Sequence, residues 1–239
     1  MLTVVALVGV LGLPVGRYLR SVIRRRGRPV SAPYPLVELG TGVFFAVVAW
    51  WAVAGPGDTL LGGSADSVRA AVGAGLLLAA YLYLAAVSVV LAVIDHTTHT
   101  LPDRVVLPSY LIGGTLLAGA SLVRDDPGGL LGGVLGLVVL WSLYFLLAVL
   151  SPSGMGFGDV KLAGLLGLYL GWLGWGALLI GAVGAFVFGG SFAIVLLATR
   201  RVPRTAGIPF GPWMLAGAWA GILAGPALWE AYLVAFRLG

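Results

Sequence analysis

Uncharged apolar runs recur along almost the whole of this chain, and several reach the ~20 residues that cross a bilayer as helix. In hydrocarbon every backbone N–H and C=O needs a partner within the protein, so only helices and closed barrels span it. The runs are continuously apolar rather than alternating, which selects helices over a barrel. Only 10% of the 239 residues are charged, against roughly 25% in soluble domains. The sequence therefore predicts an all-α polytopic membrane protein, a single transmembrane domain over 1–239 with about eight transmembrane helices. Spans are expected near 1–19, 35–55, 70–95, 105–123, 128–150, 159–173, 176–199 and 208–236. The sixth and seventh divide within Gly171-Trp172-Leu173-Gly174-Trp175-Gly176.

Charge gives the expected orientation. The first run reads as a span and not as a cleaved signal, because its arginines follow the apolar stretch and no small-x-small site is present. Arg17, Arg20, Arg24, Arg25, Arg26 and Arg28 make 17–34 a short basic loop. The positive-inside rule puts that loop in the cytoplasm and the N-terminus outside. With that start, eleven of the fourteen lysines and arginines fall on the cytoplasmic side. The basic excess is thus topological, and nucleic acid is not an expected partner. The absence of cysteine excludes disulfides, a thiol nucleophile and a cysteine-based zinc site. Gly128, Gly132 and Gly136, and Gly217, Gly221 and Gly225, recur every fourth residue. Each set lies on one helix face, where small residues let backbones approach. Trp50, Trp51, Trp172 and Trp175 read as interfacial anchors.

Two aspartates stand out against this background. Asp95 closes the run Ala70–Ile94, and Asp159, in Gly156-Phe157-Gly158-Asp159, opens the run that starts at Leu162. An ionisable group at such a place is costly and marks a functional site by default. The expected topology puts both at the cytoplasmic face, 64 residues apart in sequence. Two carboxylates that share a site suit an aspartyl protease, since like charges close together cannot both ionise and one acid stays protonated. No metal and no cofactor is needed for that chemistry. Gly156 and Gly158 allow a backbone bend and the close approach of an extended substrate.

Further polar residues are assigned supporting roles. Asp103, after the helix-breaking Pro102, caps the fourth span or partners the second acid. Glu38, at the cytoplasmic end of the second span, binds a cation or a freed amine of the substrate. Lys161, two residues beyond Asp159, acts on that acid, on the substrate backbone or as a snorkelling cation. His96 and His99 are three apart and a helix would align them, but no further ligand set accompanies them, so no metal is expected.

The residues Ala92-Val93-Ile94-Asp95, Leu101-Pro102-Asp103 and Leu107-Pro108 resemble the first signature of the type IV prepilin peptidases, and Gly154-Met155-Gly156-Phe157-Gly158-Asp159-Val160-Lys161-Leu162 resembles the second. Ile208-Pro209-Phe210-Gly211-Pro212 and Tyr34-Pro35-Leu36-Val37-Glu38-Leu39 are similar to two further segments of that family. The resemblance implies Asp95 and Asp159 as the catalytic pair and 70–200 as the peptidase core. It implies prepilins or pseudopilins as substrates, cleaved after a basic leader at the cytoplasmic face of the inner membrane. It also implies S-adenosylmethionine for the methylation of the new N-terminus that many members perform. The chain departs from the fuller pattern after its first span, where many members carry two Cys-x-x-Cys pairs and a zinc site. Two other classes compete: an ion-coupled transporter with intramembrane acids, and a non-catalytic assembly subunit. The presenilin-like proteases share Gly-x-Gly-Asp, but their first aspartate follows tyrosine and here it follows Ile94.

Overall fold

The computed structural model describes residues 1–24, 35–54, 68–151, 155–199 and 209–236, and these residues form eight helices. They are α1 (Leu2–Arg24), α2 (Leu36–Ala54), α3 (Val68–Thr98), α4 (Asp103–Arg124), α5 (Pro127–Leu150), α6 (Phe157–Leu173), α7 (Trp175–Ala198) and α8 (Gly211–Ala235). Seven of them are long and apolar enough to cross a membrane. The exception is α6, at 17 residues. The protein is thus an all-α, multi-pass membrane protein. Arg25, Arg26, Arg28, Tyr34, Asp58, Asp66, Gly154, Arg200, Arg201, Arg204, Ile208 and Arg237 lie outside the described residues.

Helix ends depart from expectation where charge meets apolar sequence. The stretch 17–34 was expected as loop, yet α1 runs on through Arg17 and Arg20 to Arg24. Arginine is a good helix former, and its aliphatic stem covers apolar surface while its head reaches water. The α6–α7 division is sharper than expected. One residue, Gly174, joins the two helices, at φ +112°, a conformation that side chains with a Cβ rarely adopt.

The chain forms two compact units. The first comprises Met1–Thr97 and Leu107–Pro127. Here α1 packs along α2 through Gly9, Gly12 and Gly16, which share one helix face. A Cβ on Gly12 would stand 2.7 Å from the Cα of Gly42, and one on Gly16 2.7 Å from the Cα of Glu38. The core of α3 is carried by buried Leu77, Tyr81, Leu84 and Leu91. The Tyr83 hydroxyl meets Ser109 of α4 at 3.0 Å.

The second unit comprises Thr98–Val106 and Gly128–Gly239. Glycines again decide the packing. Gly132 and Gly136 of α5 meet Gly167 and Gly171 of α6, and Gly217, Gly221 and Gly225 of α8 meet Ala185, Gly181 and Ala177 of α7. A Cβ on Gly136 would lie 2.7 Å from the Cα of Gly171. The four-residue spacing in the sequence is therefore a packing device. Tyr144, Phe186 and Phe210 close this unit with ring centroids 5.6 to 6.4 Å apart.

Two of the four tryptophans read as anchors are core residues. Trp51 is buried edge-on against Tyr81, and Trp172 is buried as well, whereas Trp50 and Trp175 are about half exposed. Neighbouring residues point about 100° apart on a helix, so of Trp50 and Trp51 only one can face outward.

Candidate active site

Asp95 stands in the last turn of α3, which continues past it to Thr98. Its exposure is 4%. Burial of a carboxylate is costly without compensation, so this position is held by function or by partners. His96, next on the helix, is exposed. His99 lies beyond the helix end in the left-handed region, φ 52°. The two histidines therefore do not share the helix face on which a continuous helix would have aligned them. Among the described residues no three His, Asp or Glu side chains gather as a metal site would require.

Asp159 belongs to the second unit. It is the third residue of α6, whose N-cap is Gly156. Its Oδ2 accepts the Gly156 N–H at 3.2 Å, while its own N–H donates to the Gly156 carbonyl at 3.0 Å. A carboxylate in this place satisfies a donor that the helix leaves open and sits at the positive end of the helix dipole. The carboxylate is partly exposed. The buried phenol Tyr144, on α5, lies within electrostatic range of it. Sequence reasoning passed over Tyr144 because nothing local distinguishes it from other aromatic residues of a span.

The two glycines of the motif differ in role. Gly156 has φ −77° and ψ 150°, an extended conformation open to any residue, and a Cβ there would meet nothing nearer than 3.7 Å. The bend expected of it is absent. Gly158 is needed for space, since its Cβ would stand 3.0 Å from the Cβ of Leu101.

Lys161 and Asp103 meet. The ammonium donates to Oδ1 at 2.7 Å and to Oδ2 at 2.8 Å, and lies 5.1 Å from the centre of the Phe157 ring. Asp103 is the first helical residue of α4, one position past the cap, which falls to Pro102, and its carboxylate holds a cation 58 residues away. Glu38 is also paired. Its Oε1 accepts from Arg20 Nη1 at 2.9 Å, while Oε2 is buried without a hydrogen-bond partner. A cation of the same chain, Arg20 of α1, thus meets Glu38, where a cation or freed amine of the substrate was expected.

A small cavity lies along the face of α6 below Asp159, formed by Ala163, Leu166 and Leu170 with Tyr144, Met214 and Ala218. Its volume is about 10 Å³, room for one water at most.

A buried acid in the last turn of one membrane-length helix and a second acid in the first turn of a shorter helix define a class, the polytopic membrane proteins with carboxylates at helix ends. The comparisons narrow it. Residues 82–198 match the type IV leader peptidase family, a stretch that contains Asp95, Asp103, Gly156, Gly158, Asp159 and Lys161. Proteins named prepilin leader peptidase/N-methyltransferase are similar over most of the chain. That of Aeromonas hydrophila is 36% identical over 222 residues, covering 92% of this chain and 68% of the relative. That of Aeromonas salmonicida is 37% identical over 207 residues, covering 85% and 62%. That of Pseudomonas putida is 32% identical over 223 residues, covering 91% and 68%. The chain belongs to the type IV leader peptidase family, and the transporter reading is set aside. It spans about two thirds of the length of these relatives. No solved structure matches it.

Proposed function

We propose that this protein is an aspartyl endopeptidase that removes the basic leader of prepilins or pseudopilins, with Asp95 and Asp159 as its catalytic pair. The supporting observation is that the stretch matching the family carries both acids, one buried at a helix end and one fixed in a first helical turn. In this mechanism one acid is protonated and the other is not. The ionised carboxylate takes a proton from water as that water attacks the scissile carbonyl, and the protonated acid donates its proton to the carbonyl oxygen. The resulting tetrahedral diol collapses, the C–N bond breaks, and the amine leaves with a proton from the pair. The two groups titrate jointly, as a dyad.

The excess of arginine and lysine supports a site at the cytoplasmic face of the plasma membrane, with the N-terminus outside. The bilayer and the apolar helix of the substrate are the partners in this reading. The names of the relatives include an N-methyltransferase. S-adenosylmethionine belongs to that second activity alone, and proteolysis does not require it.

The test expresses Asp95→Asn and Asp159→Asn with a candidate prepilin and separates precursor from mature protein on a gel. Both variants accumulate in the membrane and neither processes the precursor. Full processing by either one overturns the catalytic assignment. Mass spectrometry of the wild-type product, with labelled S-adenosylmethionine present, reports whether the new N-terminus is methylated.

A further inference from the structure

Lys161 lies two residues after Asp159, so the two do not share a helix face. Its ammonium reaches instead to the start of α4, just past the α3–α4 connector, where it bonds both oxygens of Asp103. The connector itself touches α6 at Leu101, against Gly158. The two contacts flank Asp159 in sequence, one residue before it and two after. The connector begins at His99, four residues beyond Asp95. The pair is too exposed to matter much for global stability, at 23% for the lysine and 55% for the aspartate, since surface ion pairs contribute little. Its geometry is nonetheless definite, with the ammonium held between a carboxylate and the Phe157 ring. The Asp103 carboxylate also sits in the first turn of α4, where the helix dipole favours it.

We propose that Lys161 and Asp103 are positioning residues: with Leu101 on Gly158 they clip the α3–α4 connector to the first turn of α6 and fix the backbone that carries Asp159. The inference rests on the peptidase reading and deepens it. Acid–base work on one water demands such fixing, because a misplacement of about 1 Å can cost on the order of 100-fold in rate. Neither residue touches the reacting atoms in this account, so their loss lowers kcat and leaves KM alone.

The test uses the full chain in proteoliposomes with a synthetic prepilin. Asp103→Asn and Lys161→Met each lower kcat by about tenfold or more, with KM unchanged. The double neutralisation is no worse than either single change, as expected of groups acting as one unit. The charge swap D103K/K161D recovers most of the rate, and D103E/K161R does so if the swap fails to accumulate. Full kcat in Asp103→Asn, or a swap and a conservative pair no better than the single variants, overturns the proposal.

A second arm reads geometry without activity. The chain has no cysteine, so Leu101→Cys with Gly158→Cys places two thiols in a thiol-free background. The Cβ separation of 3.0 Å there is about half an ångström short of the disulfide range, about 3.5–4.5 Å, so a small backbone shift brings the two thiols into bonding distance. Oxidation links the pair, and proteolysis between positions 101 and 158 then releases fragments that separate only on reduction. Cleaving enzyme without this link sinks the clip. A formed link in a wild-type background that cuts no leader sinks the peptidase reading instead.

Discussion

Glu38 illustrates what one buried carboxylate demands of its neighbours. Its side chain is 9% exposed and that of Arg20 is 19% exposed, with 2.9 Å between them. Removing one member of such a pair leaves a charge stranded, which costs more than removing both. Arg20→Met is expected to destabilise the protein by about 2–3 kcal/mol, the low side of the usual range because the arginine still meets solvent. Adding Glu38→Gln returns part of that loss. Thermal unfolding in detergent checks both, and an Arg20→Met melt equal to wild type rules the reasoning out. Asp95 and Asp159 were legible in the sequence because an acid interrupting apolar sequence is conspicuous. Arg20 as the partner of Glu38 was not, since the pairing depends on how two helices turn their faces to each other.

At the scale of helices, glycine separates into two populations that the sequence does not distinguish. Gly136 lies against the α6 backbone, and a Cβ would collide with main chain that cannot move aside, whereas at Gly40 nothing lies within 4 Å. Gly136→Val is expected to force α5 from α6, costing about 1–3 kcal/mol and disturbing the helix that presents Asp159. Gly40→Ala is expected to be neutral or to stabilise α2 by about 0.5 kcal/mol through helix propensity. Melting temperatures of the two variants, measured side by side, test the contrast, and equal shifts contradict it. The helices themselves were readable, since membrane-length apolar runs leave few alternatives. Their rotations were not, which is why Trp51 and Trp172 proved to be core. The meeting of Lys161 with Asp103 likewise needed the fold, because no local pattern links residues 58 apart.

For the molecule as a whole, orientation rests on the distribution of basic residues, and the absence of cysteine makes it open to direct measurement. His99→Cys and Asp125→Cys fall in opposite connections of the proposed topology, and both positions lie at helix ends with φ above +50°. A membrane-impermeant thiol reagent applied to intact cells is expected to label position 125 and to reach position 99 only after the membrane is opened. The reverse pattern inverts the orientation and moves the proposed site to the other face. Fold class could be read from hydropathy alone, but the division into two units could not, because residues 98–106, from the end of α3 through the connector into the first turn of α4, belong to the second unit.

The single-residue joint at Gly174 makes α6 and α7 an uneven hairpin of 17 and 24 residues. Level at the joint, the arms differ at their far ends by about 10 Å of helix rise. The short arm is the one that ends beside Asp159, which therefore stands on a ledge below the rim set by its neighbour. In the proposed topology, a peptide reaching that carboxylate is expected to pass below the end of α7, with solvent following from the same side.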